Sequence, residues 1–169
     1  MISKKRLIKS FLEMYNSIMF KKIGIIYKET LSFDADISPH IETILSHSKD
    51  LYFHESASDA PDQFPKLSKD ELGDQSDLII VFGGDGTMLS TARDFIGYDI
   101  PIMGVNFGQV GFLTDSSENN FQQSIADVFN DNFKLEERSF VKAEFGDKEI
   151  KIDLRLICAT HQNLSLIHI

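Results

Sequence analysis

Runs of apolar residues predict the buried strands of this chain. Leu78–Phe82 is an unbroken apolar run, rich in β-branched residues and followed directly by glycines. Such a run is typical of a strand in a sheet that is covered on both faces. Similar runs occur at Ile23–Tyr27, Leu51–Phe53 and Ile100–Val105. We therefore expect a sheet in which Leu78–Phe82 is a central strand.

Helical patterns lie between the predicted strands. A stripe of apolar residues at helical spacing follows the glycines, and Gly97 is expected to end that helix. The stripe consists of Met88, Leu89, Ala92, Phe95 and Ile96. Ser38–Pro39 offers an N-cap and a proline at the first position of an earlier helix, which carries Ile41, Ile44, Leu45 and Ser48 on one face. Ser68 and Glu71 have the spacing of a capping box.

A further helix is predicted after the last apolar run, capped by Ser116 or Ser117. Its apolar face would hold Phe121, Ile125, Val128 and Phe129. Strands that alternate with helices imply an α/β fold with a parallel sheet and right-handed crossovers. Sheets of this kind bind ligands beyond the carboxyl ends of their strands. Both Asp85 and Asn106 follow strands and are expected at that edge.

The pattern changes in the last part of the chain. From Val141 to Leu156 the apolar residues alternate, with Gly146-Asp147 in the middle. This alternation predicts a hairpin that opens an antiparallel β region. We therefore divide the chain into residues 1–18, an N-terminal extension of doubtful status; residues 19–135, the α/β domain; and residues 136–169, the first hairpin of a β domain.

The segment Gly83–Thr87 (Gly-Gly-Asp-Gly-Thr) predicts a phosphate site. Its glycines allow sharp turns, positive φ angles and a close approach of backbone N–H groups to a ligand. The helix that follows adds unpaired N–H groups and the positive end of its dipole. Asp85 is the one carboxylate in this segment, so it is either a proton acceptor in the cleft or a cap for the helix.

Composition excludes several classes of function. A net charge of -9 argues against a nucleic-acid or anionic-membrane surface, and the single cysteine, Cys158, excludes an internal disulfide. No apolar run is long enough to span a bilayer, so we expect a cytoplasmic protein. His40, His47 and His54 lack the paired spacing of a metal site and are expected to be solvated. Neither a Walker P-loop nor a GxGxxG fingerprint is present.

Two segments together resemble a known family. Gly83–Thr87 is similar to the GGDGT signature shared by NAD kinases, lipid kinases and, more distantly, phosphofructokinase. Asn106–Asp115 (Asn-Phe-Gly-Gln-Val-Gly-Phe-Leu-Thr-Asp) resembles the NxGxLGFLT segment of NAD kinases, whereas lipid kinases have a different helix after the glycines. The resemblance extends roughly over residues 21–145. It implies a bacterial-type NAD kinase whose Rossmann-like, phosphofructokinase-like domain precedes an antiparallel β domain.

The resemblance also implies roles for particular residues. Asp85 would be the general base that activates the 2′-hydroxyl of the adenosine ribose of NAD, with ATP as the phosphate donor and Mg²⁺ or another divalent metal present. The pocket and its phosphate contacts would come from Gly83, Gly84, Gly86 and Thr87. In the second segment, the residues expected at the dinucleotide are Asn106, Gly108, Phe112 and Leu113. Phe112 and Leu113 are either contacts of the adenosine or ordinary core residues, and Asp115 is either a site residue or the start of a turn.

Some features depart from the family pattern. Phe107 replaces an arginine that is usual in bacterial relatives, which removes a basic contact from that position. In Ile157–Ile169, Asn163 matches the first member of the family's Asn-Glu pair, but Leu164 replaces the acid. The tail is either a diverged strand or, as we favour, foreign sequence after about Leu156.

The functional expectation is therefore an NAD kinase that is truncated in its β domain. A full-length form is expected to be a homo-oligomer with NAD and ATP as its small-molecule partners, and the truncated chain is expected to be inactive. A relative of the diacylglycerol and sphingosine kinases and an inactive nucleotide-binding fragment remain the alternatives.

Overall fold

The computed structural model describes residues 20–48, 50–107, 113–114, 116–139, 143–145, 148–150 and 153–158. Within these residues the fold is a mainly parallel sheet with helices on both faces, which confirms the predicted α/β class. Several predicted features lie outside the described residues. They are the N-terminal extension, the hairpin positions Val141 and Ile152, and the tail beyond Cys158.

The strands of the main sheet are β1 (Lys22–Tyr27), β2 (Asp50–His54), β3 (Lys66–Leu67), β4 (Leu78–Gly83), β5 (Ile102–Asn106), β6 (Ser116–Ser117), β7 (Lys134–Ser139) and β10 (Asp153–Cys158). Their order is β3-β2-β1-β4-β5-β10-β7, with β6 paired to β5. All of the pairs are parallel except β10 with β7, which is antiparallel. The chain adds strands on one side of β1 and then crosses to the other side at β4, so the order reverses between these two strands.

The helices are α1 (Ser38–Leu45), α2 (Lys69–Gln75), α3 (Asp85–Asp94) and α4 (Phe121–Phe129). A short π-helix, Phe33–Ile37, leads into α1, and a 3-10 turn, Glu118–Asn120, leads into α4. The predicted capping box is confirmed at α2, where Ser68 and Glu71 bond reciprocally. Gly97 has a φ of 92° and follows α3, as predicted for a glycine that ends a helix.

The core lies on both faces of β4, which is buried along its whole length. Leu78, Ile80 and Phe82 belong to the cluster under α1 and α4, which includes Ile41, Ile44, Phe121, Ile125 and Val128. Ile79 and Val81 belong to the cluster under α2 and α3, which includes Leu72, Met88, Ala92 and Phe95. The unbroken apolar run in the sequence is therefore explained by a strand that is packed on both sides.

Two predicted serine caps are wrong. Ser38 is not the N-cap of α1, because the π-helix continues directly into it and the capping position is Ile37. Ser116 and Ser117 form a short strand that pairs with β5; Ser117 precedes the 3-10 turn, but its side chain makes no capping hydrogen bond, and the cap position of α4 is Asn120. In both places the main chain is held by neighbouring structure, so the serine side chain is not needed as a cap.

The last strands follow the predicted hairpin only in part. β8 (Ala143–Phe145) and β9 (Lys148–Ile150) pair antiparallel, as the alternation predicts. β10 does not extend β9; it returns to the main sheet between β5 and β7. The boundary at residues 135 and 136 stays a prediction, although β7 runs across it.

Candidate functional site

The site is built at the carboxyl ends of β1, β4 and β5. Gly83 at the end of β4 is opposite Asn106 at the end of β5, and the N–H of Phe107 donates to the carbonyl oxygen of Gly83 at 3.4 Å. On the other side, the N–H of Lys28 donates to the carbonyl oxygen of Phe82 at 3.0 Å. The sheet order reverses between β1 and β4, and ligands of open α/β sheets bind at such a reversal.

Asp85 joins the two sequence segments. It is the first residue of α3, and the N-cap is Gly84, which has an extended conformation and no side chain with which to cap. The carboxylate of Asp85 accepts a hydrogen bond from the N–H of Leu113 at 3.0 Å. These residues are 28 positions apart in the chain. The carboxylate is half-buried and is held at the edge where the two segments meet.

The glycines act through their lack of a side chain, and they do not adopt the positive φ angles that glycine allows. Gly83, Gly84 and Gly86 all lack the left-handed conformation that Gly97 adopts. A Cβ on Gly83 would lie 2.6 Å from Oγ1 of Thr87, so this glycine is required by the protein's own packing. A Cβ on Gly84 or Gly86 would meet nothing within 4 Å. These two glycines leave open space beside the first turn of α3.

That open space belongs to a cavity of about 660 Å³. The cavity lies between the end of β1, the end of β2 and one face of α3 along its whole length. Its wall includes Lys28, Glu29, Lys69 and Asp94 together with hydroxyl groups and backbone from α3. Gly84, Gly86 and Thr87 line it, whereas Asp85 does not. The cavity is open to solvent, has both polar and apolar groups in its wall and is bordered by the N–H groups at the start of α3.

Of the other predicted site residues, Asn106 is buried at 4% exposure and Leu113 is half-buried. Next to Leu113, Thr114 is buried, and its hydroxyl has no hydrogen-bond partner among the described residues. Gly108 and Phe112, together with Asp115, lie outside the described residues. The structure therefore brings together the glycine segment, Asn106 and Leu113, and says nothing of the remaining predicted positions.

Sequence reasoning missed the role of His40. The expectation that it is solvated is wrong, since its ring packs 5.8 Å from Phe82, 5.4 Å from Phe107 and 4.7 Å from Phe121. Burial lowers the pKa of His40, although the charge of Glu118 acts in the opposite direction. His40 directly precedes Ile41, which lies on the apolar face of α1. This position is the one feature of the sequence that could have indicated a buried ring.

A second missed feature holds the loop after β2. The hydroxyl of Tyr27 and the N–H of Phe33 both donate to the carboxylate of Asp59, the latter at 2.7 Å. These bonds hold the pKa of Asp59 below its usual range, with the bond from Phe33 as the larger cause. Burial and the neighbouring Asp59 raise the pKa of Tyr27. Because Tyr27 also lines the cavity, this contact ties the loop to its wall.

The described part of the chain contains no group of three His, Cys, Asp or Glu side chains that could hold a metal ion. Magnesium is often held by one or two protein oxygens together with substrate phosphates, so such a group is not required. Among the same residues, no helix is long and apolar enough to cross a membrane.

Comparison with known proteins identifies the family. The sequence model of the family described as "ATP-NAD kinase N-terminal domain" matches residues 23–133. An NAD kinase from Natranaerobius thermophilus is 34% identical over 125 residues, which are 73% of this chain and 44% of that relative. The chain therefore spans less than half the length of that curated relative.

Solved structures share the fold. The structure of yeast NADH kinase complexed with NADH matches with a TM-score of 0.63 at 15% identity, over 82% of this chain and 47% of that one. A Bacillus anthracis protein that is provisionally named a diacylglycerol kinase matches with a TM-score of 0.51 at 17% identity, over 73% of this chain and 43% of that one. At such identities the likeness shows the fold alone. The family match covers most of the described α/β unit, including both segments of the site, and the chain belongs to the ATP-NAD kinase N-terminal domain family.

Proposed function

We propose that this chain forms the N-terminal part of an NAD kinase, which transfers the terminal phosphate of ATP to the 2′-hydroxyl of the adenosine ribose of NAD. The observation that carries the proposal is the hydrogen bond from the N–H of Leu113 to the carboxylate of Asp85. Asp85, the proposed proton acceptor, is thereby in contact with Leu113, which belongs to the segment that resembles NAD kinases and not lipid kinases. The named relatives support the same assignment.

Asp85 is the proposed general base. Phosphoryl transfer depends mainly on positioning and charge neutralisation, with a carboxylate that accepts the proton of the attacking hydroxyl. In this proposal the 2′-oxygen bonds to the γ-phosphorus, the bond from that phosphorus to the bridging oxygen breaks, and ADP leaves. The N–H of Leu113 restrains the carboxylate, so the base keeps its orientation toward the edge of the sheet.

The cavity beside α3 is the proposed place of the donor. Gly84 and Gly86 leave room for phosphates to approach the backbone, and Thr87 supplies a hydroxyl at the same turn. The N-terminal end of α3 favours negative charge. A divalent cation such as Mg²⁺ would neutralise the donor phosphates, with those phosphates as its principal ligands.

The acceptor is proposed on the other side of Asp85. Asn106 and Leu113 border this side, and the family resemblance adds Gly108 and Phe112. NAD would place its adenosine ribose against the carboxylate of Asp85 while the donor phosphates lie along the first turn of α3. Donor and acceptor would then meet at the beginning of one helix.

Assays of NAD and lipid phosphorylation, combined with binding measurements, test the proposal. NADP formation by a full-length form would be followed with an NADP-specific dehydrogenase in the presence of MgATP, and binding of NAD and ATP by titration calorimetry. NADP formation that Asp85→Asn lowers about 100-fold while both nucleotides still bind would support the proposal. Phosphorylation of diacylglycerol in place of NAD would support the lipid-kinase alternative. Binding of both nucleotides with no turnover would support a nucleotide-binding role alone.

A further inference from the structure

The wall of the cavity carries two lysines in different situations. Lys69 lies 3.6 Å from Asp70, so its charge is already partly compensated. Lys28 is exposed at the cavity, and among the residues that the structure describes it has no ion pair. The acidic side chains of the wall are Glu29 and Asp94. Lys28 is thus the cation on which the attraction of an anion to this cavity most depends.

The backbone of Lys28 is fixed on both sides. Its N–H donates to the carbonyl oxygen of Phe82 at 3.0 Å, and its carbonyl oxygen accepts from the N–H of Leu31 at 2.9 Å. The first bond ties it to the residue before Gly83, and the second closes a turn after β1. The Lys28 side chain therefore starts from a rigid position beside the glycine segment, while its long stem remains free to adjust.

The floor of the cavity also carries hydroxyl groups. Thr91 lines the cavity at 4% exposure. Thr87 and Ser90 add hydroxyls on the same helix, and Gly84 and Gly86 leave room above them. These groups suit the oxygens of a polyphosphate chain.

We propose that Lys28 binds the polyphosphate chain of the nucleoside triphosphate donor and so determines donor affinity at this site. The inference rests on the proposed function, since it assigns the donor's phosphates to this cavity. Without Lys28 the charged side chains of the wall are Lys69, Glu29 and Asp94, which leave an excess of negative charge. A triphosphate would then meet repulsion where it now meets a cation. Lys28 is a binding residue for the donor and is not expected to contact NAD.

The experiment compares Lys28→Gln with Lys22→Gln in the full 169-residue chain. Lys22 begins the same strand, is exposed and lies about 20 Å away at the other end of that strand. Its substitution by glutamine changes the net charge as much as that of Lys28, but far from the cavity. The probes are MgATP, inorganic tripolyphosphate, AMP and NAD, each measured by titration calorimetry. A melting curve of each variant checks that it is folded.

Lys28→Gln is expected to raise the Kd for MgATP and for tripolyphosphate about tenfold, which corresponds to about 1.4 kcal/mol. The Kd values for AMP and NAD should change less than twofold, Lys28→Arg should restore most of the affinity, and Lys22→Gln should behave as the unchanged chain. Equal losses in Lys28→Gln and Lys22→Gln, unchanged binding in Lys28→Gln, or no binding of tripolyphosphate to the chain would each overturn the inference.

A failure of the role proposed for Lys28 can be distinguished from a failure of the proposed kinase function. Tripolyphosphate binding that depends on Lys28 in this chain, without NADP formation by a full-length form, would support the phosphate site and contradict the kinase. NADP formation by a full-length form with an unchanged KM for ATP in Lys28→Gln would support the kinase and contradict the role of Lys28.

Discussion

Replacing Gly86 by alanine separates what this position contributes to stability from what it contributes to binding. Gly86 is the second residue of α3, and its φ is outside the left-handed region. A Cβ built on it meets no atom within 4 Å. Alanine therefore fits the folded chain without strain. Glycine within a helix is less favourable than alanine by about 0.5 to 1 kcal/mol, so Gly86→Ala should stabilise the fold by up to that amount.

The expected shift of the melting temperature is about 2 to 4 °C for each kcal/mol in a chain of this size. The effect on binding has the opposite sign, because the new methyl group enters the cavity where phosphates are proposed to approach the backbone. We expect Gly86→Ala to raise the melting temperature slightly and to weaken MgATP binding about tenfold, which corresponds to about 1.4 kcal/mol.

Two other glycines serve as controls. Gly97 has a φ of 92° and open space around it, so Gly97→Ala should destabilise the fold by about 1 kcal/mol or more through backbone strain alone. Gly83→Ala should destabilise by about 1 to 3 kcal/mol because its Cβ would overlap Thr87. Calorimetric titration and thermal melting of the three variants give both quantities. A Gly86→Ala chain that binds MgATP as tightly as the unchanged chain would refute the phosphate site at this turn.

Three further predictions follow from single contacts. In a full-length form, Asp85→Asn keeps an acceptor for the N–H of Leu113 but removes the proposed base, so turnover should fall about 100-fold with little loss of stability. Asp85→Ala should also lower the melting temperature. The pKa of His40 is lowered by burial, so the folded state loses stability as the pH falls below about 6.5, and His40→Phe should flatten melting temperatures between pH 7 and 5. Tyr27→Phe removes a hydrogen bond to Asp59 and should lower stability by about 1 kcal/mol at pH 7, a difference that shrinks as the pH falls below about 4 and the carboxylate is protonated. An unchanged pH profile in His40→Phe, or equal melting temperatures of Tyr27→Phe and the unchanged chain at pH 7, would contradict these two.

The central part of the fold could be predicted because local pattern and tertiary structure agree there. The apolar run Leu78–Phe82 has one explanation in a parallel sheet, namely burial on both faces, and the structure buries all of it. The capping box of Ser68 and Glu71 and the helix stop at Gly97 depend on residues that are close in sequence. Both features can therefore be predicted without knowledge of the tertiary structure.

The failed predictions concern residues whose role is set by distant neighbours. Ser38 and Ser116 have the composition of N-caps, but a preceding π-helix and a pairing with β5 determine their backbone. The contact between Asp85 and Leu113 spans 28 positions, and sequence places these residues only at the same edge of the sheet. The cavity depends on how the turn after β1 faces α3, which no local pattern encodes.

Phe107 shows how a departure from the family pattern is accommodated. Its ring lies 5.9 Å from Phe82 and 5.4 Å from His40, so it is part of the aromatic cluster under α1 and α4. Phe82 directly precedes the glycine segment, and Phe107 directly follows Asn106. The contact between these two rings therefore packs the starting points of the two site segments against each other. An arginine at position 107 would bring a charge to these rings, whereas phenylalanine extends the core to the edge of the site. In the proposed phosphate site, positive charge would then come from the other side of β4, where the start of α3 and Lys28 border the cavity.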